Sequence, residues 1–174
     1  MINPIVKLIA VDGFFTKQHA KTLALNTQGL QYVEKEFGKE IENFNMVPEN
    51  CNKLFSDVLG TQIVCDEDKS GIFRQPELFI HFEPFENSNQ WIFVAALETT
   101  MFNVFEHHSG CQTALQGYQF NYRNLFEWNV VANYELQPGH GVLFRPWLFH
   151  GFGSGLIQLF RLEENDNVLY NQRF

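Results

Sequence analysis

The chain has few of the residues that mark disulfide-rich or metal-finger proteins. Cysteine occurs only three times, at Cys51, Cys65 and Cys111. An odd number of cysteines without close spacing excludes both a disulfide framework and a CxxC metal site. We predict that all three are small buried side chains.

Basic residues and long apolar runs are also scarce. Twelve Lys+Arg stand against 20 Asp+Glu, for a net charge of −8, so the surface repels phosphate backbones and anionic lipids. The longest uninterrupted apolar run, 91–97, is far shorter than the roughly 20 residues of a membrane helix, and residues 1–4 carry no basic targeting stretch. We therefore expect a cytoplasmic protein with neither a nucleic-acid nor a membrane partner. The sequence is also compatible with a homodimer.

Aromatic side chains are abundant. Nineteen Phe in 174 residues represent a large apolar area, which a single domain of this length can bury. No repeat or linker divides the chain, so we predict one domain over 1–174. It comprises a helical lead-in at 1–60, a core at 61–162 and a C-terminal tail at 163–174.

The hydrophobic pattern changes near residue 61. Before it, the pattern indicates a strand at 5–11 and helices at 17–25 and 48–59. After it, short runs rich in Phe, Val, Leu and Tyr are separated by Asn, Gly and Pro, which is typical of antiparallel strands. These runs cover 61–65, 76–85, 91–98, 101–108, 112–121, 125–136, 141–145, 148–152 and 156–162. We predict a mainly β jelly roll with the helices packed on its outside.

The last third of the chain carries the strongest chemical pattern. A Pro138-Gly139 turn precedes a short strand, His150 begins the next one, and Arg161 stands 11 positions later. The two-residue period of a strand puts Arg161 on the same face as Ile157 and Leu159, so it should point inward. A buried guanidinium needs an anion, and either a bound organic acid or an internal carboxylate such as Glu98 or Glu106 would serve.

These residues resemble the Fe(II)/2-oxoglutarate-dependent oxygenases, which are double-stranded β-helix (jelly-roll) proteins. The likeness runs from about 91 to 162 and includes an opening segment near 11–20; its motif residues are Pro138-Gly139, Val142 to Phe144, Pro146-Trp147, His150 and Arg161. The resemblance implies that His150 binds Fe(II) and that Arg161 binds the distal carboxylate of 2-oxoglutarate. It implies hydroxylation of an unknown small molecule or peptide, with no catalytic residue beyond the metal ligands.

The upstream iron ligands depart from the family pattern. Members usually carry His-x-Asp or His-x-Glu, because iron takes two imidazoles and one carboxylate on one face. His-x-Asp is absent from this sequence, and the only His-x-Glu is His81-Phe-Glu83. A second candidate is His107-His108. When 125–128 and 129–136 are counted as separate strands, four predicted strands lie between it and His150, which is the number that the β-helix places between its iron-binding stations. The same count gives His81 too many strands.

We therefore favour His108, or His107, as the second histidine ligand, with Glu106 as a carboxylate ligand in reversed order. Which face of the 101–108 strand points inward stays open, and His81 with Glu83 remains an alternative. Asn103 could help to hold the organic acid. A third interpretation is that His108-Ser-Gly110 forms the His-x-Gly of halogenating members, in which the missing carboxylate leaves room for chloride.

Two other functions compete with the oxygenase. One is a non-catalytic jelly-roll binding module that has lost the iron carboxylate. The other is a cupin-type metalloenzyme without 2-oxoglutarate, in which Arg161 has no special role. The observation that separates the oxygenase from the binding module is whether two histidines and a carboxylate converge in one pocket.

Overall fold

The computed structural model describes residues 6–10, 17–28, 30–35, 38–41, 50–75 and 78–165. Most of the predicted tail, much of the opening segment and the predicted start of the second helix lie outside these ranges. The helices are α1 (Lys17–Asn26) and α2 (Cys51–Leu59). The strands are β1 (Val6–Ala10), β2 (Tyr32–Lys35), β3 (Gly38–Ile41), β4 (Ile63–Gln75), β5 (Gln90–Ala96), β6 (Thr100–His107), β7 (Trp128–Leu136), β8 (His140–Phe144), β9 (His150–Phe152) and β10 (Gly155–Glu164).

Two antiparallel sheets form the body of the protein. The larger has the strand order β1-β8-β5-β10-β4-β3-β2, and the smaller has the order β7-β6-β9. Every strand pair is antiparallel. The mainly β jelly roll predicted from the sequence is confirmed.

The space between the sheets is filled by aliphatic and aromatic side chains, which we call the inter-sheet core. It contains Ile92, Val94, Ala96, Phe102, Val104, Leu136, Val142, Phe144, Leu148, Phe152, Ile157 and Leu159. Strand alternation explains this set, because every second residue of a strand points to the same face. Burial of so much apolar area is the main force that holds the sheets together.

Both helices lie on the outer face of the larger sheet, as predicted. Leu23 of α1 and Phe55 of α2 are buried there, and the ring of Phe55 packs 4.7 Å from that of Phe93 on β5. Two side chains of α2 also accept hydrogen bonds from the backbone of β4, since Asn52 Oδ1 receives the Cys65 N–H and Ser56 Oγ the Ile63 N–H, each at 2.8 Å. All three cysteines are buried and free, as expected.

Several predicted strands have a different form in the structure. The 112–121 run is a loop with one isolated bridge at Thr113, and the 76–85 run, where described, is extended chain with one bridge at His81. The 125–136 run is a 3₁₀ turn followed by the single strand β7. The β2–β3 hairpin was not predicted. Neither described helix is long and apolar enough to cross a membrane.

Candidate metal centre

The segment 78–85 runs alongside β9 and extends the smaller sheet. His81 and His150 form an isolated antiparallel bridge, with the N–H of each donating to the carbonyl of the other at 2.9 Å. The Glu83 N–H donates to the Pro146 carbonyl at 2.8 Å. Directly bridged residues point their side chains to the same face, and so do residues two apart. This pairing places His81, Glu83 and His150 together.

Three metal-ligating side chains converge at this bridge. His81 Nε2 lies 3.1 Å and His150 Nε2 lies 3.5 Å from the same oxygen, Glu83 Oε1. One ligand atom from each residue lies within 4.8 Å of the other two, and all three residues are buried. Within the described part of the chain, this is the one such group of His, Cys, Asp or Glu side chains.

A hydrogen bond at the Nδ1 atom of each imidazole fixes the orientation of the ring. His81 Nδ1 lies 3.0 Å from the Phe79 carbonyl oxygen, and His150 Nδ1 lies 2.8 Å from that of Leu148. A carbonyl only accepts hydrogen bonds, so each Nδ1 carries a proton. In a neutral ring the Nε2 atom is then an unprotonated acceptor. This arrangement, with Nδ1–H on a backbone carbonyl and Nε2 directed at the shared site, is the usual one for metal-bound histidine.

With both rings neutral, the three ligand atoms that face one another, the two Nε2 atoms and Glu83 Oε1, are all acceptors. In the described structure His150 Nε2 is fully buried and has no hydrogen-bond partner. It faces Glu83 Oε1, a carboxylate oxygen that is also a hydrogen-bond acceptor. Buried polar atoms are normally paired, because an unpaired one costs about 1–3 kcal/mol. A cation among the three ligand atoms would satisfy all of them.

The electrostatics favour an ionised Glu83 beside a neutral His150. Burial raises the pKa of Glu83, but the adjacent imidazoles of His150 and His81 outweigh it and leave the pKa well below its usual value. Burial, assisted by His81, lowers the pKa of His150 despite the opposing effect of Glu83 and the Leu148 carbonyl. Metal ligands need these same forms, a carboxylate anion and a neutral imidazole.

Arg161 completes the centre. It lies on β10 opposite Ile92, a residue of the inter-sheet core, and its Nη2 donates to Glu83 Oε2 at 2.8 Å. The anion that an inward-facing arginine requires is thus an internal carboxylate, one of the two predicted alternatives. It is Glu83 rather than Glu98, which pairs with Arg74 at 2.6 Å.

The structure does not bring His107, His108 or Glu106 to His150. Phe102 and Val104 pack between the sheets, whereas His107 lies on the other face of β6, with its ring 4.1 Å from Phe120. His107 Nδ1 contacts the Ser109 hydroxyl at 2.8 Å, and His107 Nε2 lies 3.6 Å from Glu127.

His108 follows the last residue of β6 and is exposed in the turn, because the strand ends before that position. Glu106 accepts a hydrogen bond from Gln112. Asn103 approaches the Gly151 carbonyl at 3.5 Å and touches none of the three ligand side chains. The predicted cavity shared by His150 and His107 or His108 is not present, and His81 takes that place.

The strand count explains why the sequence analysis favoured His107 and His108. The predicted segment 112–121 is a loop and 125–128 is not a separate strand, so only β7 and β8 lie between His108 and His150. Four strands, β5 to β8, lie between His81 and His150. Applied to the observed strands, the four-strand criterion selects His81.

Two cavities adjoin the centre. A cavity of about 240 Å³ is bordered by Arg161 and by Ile92, Trp91, Pro84 and Phe85, among others. A cleft of about 510 Å³ lies between residues 79–84 and 120–123 and includes His81 in its lining. Both lie on the segment that carries the candidate ligands.

Comparison with known proteins supports the fold. HygX from Streptomyces hygroscopicus with nickel, 2-oxoglutarate and hygromycin B bound aligns with a TM-score of 0.56 at 10% identity, covering 92% of this chain and 83% of HygX. HygX with nickel and 2-oxoglutarate gives a TM-score of 0.52 at 12% identity, with the same coverage. No family model and no curated protein sequence matches the chain. At this identity the likeness shows the jelly-roll fold.

Proposed function

We propose that this protein is an Fe(II)/2-oxoglutarate-dependent oxygenase whose iron is held by His81, Glu83 and His150. The observation that carries the proposal is the convergence of three buried acceptors, including the unpartnered Nε2 of His150, on one point. Two imidazoles and one carboxylate with further positions open are the ligand set of non-haem Fe(II) oxygenases. Nickel, which occupies HygX, also accepts imidazole and carboxylate ligands.

Arg161 has the properties needed to hold 2-oxoglutarate as well. Its guanidinium makes one hydrogen bond, to Glu83, among the residues that the structure describes. A guanidinium has five N–H donors, so further donors remain for the carboxylate of an organic acid. The cavity of about 240 Å³ beside Arg161 provides space for such a ligand, and Lys69 adds a second cation to a lining that also contains the carboxylates of Asp66, Glu86 and Glu163. The 2-oxoglutarate bound to HygX is a compatible precedent on a similar fold.

The remaining residues would shape and seal the centre. When bound, iron and 2-oxoglutarate supply the activation of dioxygen, which protein side chains alone do not provide. The chain's own contribution is to orient the ligands through the Phe79 and Leu148 carbonyls and to exclude water. The rings of Phe102 and Phe144 lie 5.8 and 4.6 Å from that of His150 and keep water from that side.

The direct test is an anaerobic titration of the protein with Fe(II), with and without 2-oxoglutarate. We expect one Fe(II) per chain and, when both are present, the visible metal-to-ligand charge-transfer band of the chelate. Binding of Fe(II) without that band would contradict the 2-oxoglutarate assignment and leave a metal centre. Failure to bind any divalent metal would contradict the whole proposal.

A cupin-type metalloenzyme without 2-oxoglutarate is the second candidate, and one observation favours it. Arg161 already pairs with Glu83, so its charge is neutralised without a cofactor. The binding-module alternative assumed a missing carboxylate, whereas Glu83 supplies one beside both histidines. The titration above separates these candidates, because only the oxygenase requires the chelate band.

We further propose that the substrate is a small organic anion with an aromatic or apolar body that binds in the 510 Å³ cleft. Four rings line this cleft, those of Phe79, Phe82, Phe120 and Tyr122. Its lining contains Arg123 but no carboxylate, and Arg123 has no ion pair within the described residues. In a protein of net charge −8, this local cation favours an anionic ligand.

The cleft can be tested with 2-naphthoate and its neutral analogue 2-naphthol by isothermal titration. We expect Arg123→Gln to weaken 2-naphthoate binding by about tenfold, the scale of one charge-assisted hydrogen bond. Binding of 2-naphthol should not change, and Lys53→Gln, an exposed cation on α2, should leave both unaffected. Equal 2-naphthoate binding by wild type and Arg123→Gln would remove the cleft from consideration as an anion site.

A further inference from the structure

The two oxygens of Glu83 have different partners. Oε1 faces His81 Nε2 at 3.1 Å and His150 Nε2 at 3.5 Å, while Oε2 accepts a hydrogen bond from Arg161 Nη2 at 2.8 Å. The carboxylate is therefore held in one orientation. A single oxygen is presented to the point where the two imidazoles converge.

Arg161 is itself held firmly in the larger sheet. In the strand register, Arg161 pairs with Ile92 of β5 on one side and with Asp66 of β4 on the other. Its backbone N–H donates to the Ser70 hydroxyl at 3.2 Å. The guanidinium thus reaches Glu83 from a fixed strand, and it links the larger sheet to the segment that carries two of the three ligands.

Solvent water has little access to the Arg161–Glu83 contact and would replace it poorly. The side chain of Glu83 is 7% exposed and that of Arg161 is 23% exposed. If the guanidinium were removed, Oε2 would lose its partner in a buried place. The carboxylate could then rotate or bind a metal through both oxygens.

We propose that Arg161 is a positioning residue for the metal centre, which holds Glu83 as a one-oxygen ligand whether or not an organic acid is bound. The proposal rests on the metal site of the proposed function. It differs from the cofactor-binding role that the family resemblance implies, because it acts through the Glu83 carboxylate and needs no 2-oxoglutarate. Groups that orient metal ligands commonly contribute about tenfold to a hundredfold to metal affinity.

The experiment is a titration with Co(II), whose visible spectrum reports coordination, in the complete absence of 2-oxoglutarate. Arg161→Gln removes the charge and Arg161→Lys retains it with a single donor group. Arg74→Gln is the matched control, since Arg74 forms an Arg–Glu pair in the same sheet, with Glu98, and touches no candidate ligand. Thermal unfolding of each metal-free variant checks that it is folded.

We expect Arg161→Gln to weaken Co(II) binding by about tenfold or more and to alter the Co(II) absorption bands. Arg161→Lys should lose less, and if Arg161→Gln does not fold, this variant decides the question through its altered bands. Arg74→Gln should match wild type. Unchanged Co(II) affinity and spectrum in folded Arg161 variants would overturn the positioning role alone. Absence of Co(II) binding by wild type would overturn it together with the proposed metal site.

Discussion

Glu83→Gln should lower the affinity of the protein for divalent metal by about a hundredfold to a thousandfold. Structural metal sites with four ligands bind with about 10–16 kcal/mol, so one ligand contributes about 2.5–4 kcal/mol. That energy corresponds to the stated loss, since about 1.4 kcal/mol is a factor of ten. The amide is nearly the same size as the carboxylate but carries no charge. The measurement is competition of each variant with a chromophoric chelator for Co(II).

A pair of histidine variants distinguishes this centre from the one that the sequence favoured. His81→Gln should cause a loss similar to that of Glu83→Gln. His107→Gln, the same exchange at a histidine stacked on Phe120, should leave metal affinity unchanged. His108→Gln and Glu106→Gln should also leave metal affinity unchanged. A loss on changing His107 or His108, with none on changing His81, would restore the original hypothesis.

Gly151→Ala should both destabilise the protein and weaken metal binding. A Cβ at Gly151 would lie 2.5 Å from the Phe79 carbonyl oxygen and 3.0 Å from the Leu78 side chain. That carbonyl is the acceptor for His81 Nδ1, so relieving the clash moves the segment that carries His81. Overpacking of this kind costs about 1–3 kcal/mol. We expect about a tenfold or greater loss of Co(II) affinity, comparable to the removal of a group that orients a metal ligand.

Gly153→Ala is the matched control, because Gly153 lies two positions away. A Cβ there would meet its nearest neighbours at 3.5–3.7 Å, an ordinary contact distance. We expect metal affinity to stay at the wild-type level and the free energy of unfolding to change by no more than about 1 kcal/mol. Urea unfolding and the Co(II) competition assay measure the two effects. If both glycine variants behave alike, close approach at Gly151 does not position His81.

The fold class could be predicted from the sequence because its causes are local. The switch from helical spacing to short apolar runs near residue 61 marks the change from helices to strands. This pattern predicts the fold class even where an individual strand is predicted wrongly. The inward face of β10 was also predictable, since the two-residue period places Arg161 with Ile157 and Leu159. Both Ile157 and Leu159 pack between the sheets. The same local rules predicted that Arg161 needs an anion, whereas His150 became a candidate ligand through the family resemblance.

Only the tertiary structure decided which residues join His150 and Arg161. Aromatic-rich loops and strands share the same composition, so 112–121 was predicted as a strand although its aromatic side chains cover the outer face of the smaller sheet. That error shifted the strand count from His81 to His107 and His108. Cross-strand pairing is a long-range property, and the bridge between His81 and His150 joins positions far apart in the chain. The identity of the Arg161 partner has the same origin: Glu83, Glu98 and Glu106 are equivalent as sequence, and sheet pairing brings Glu83 within 2.8 Å.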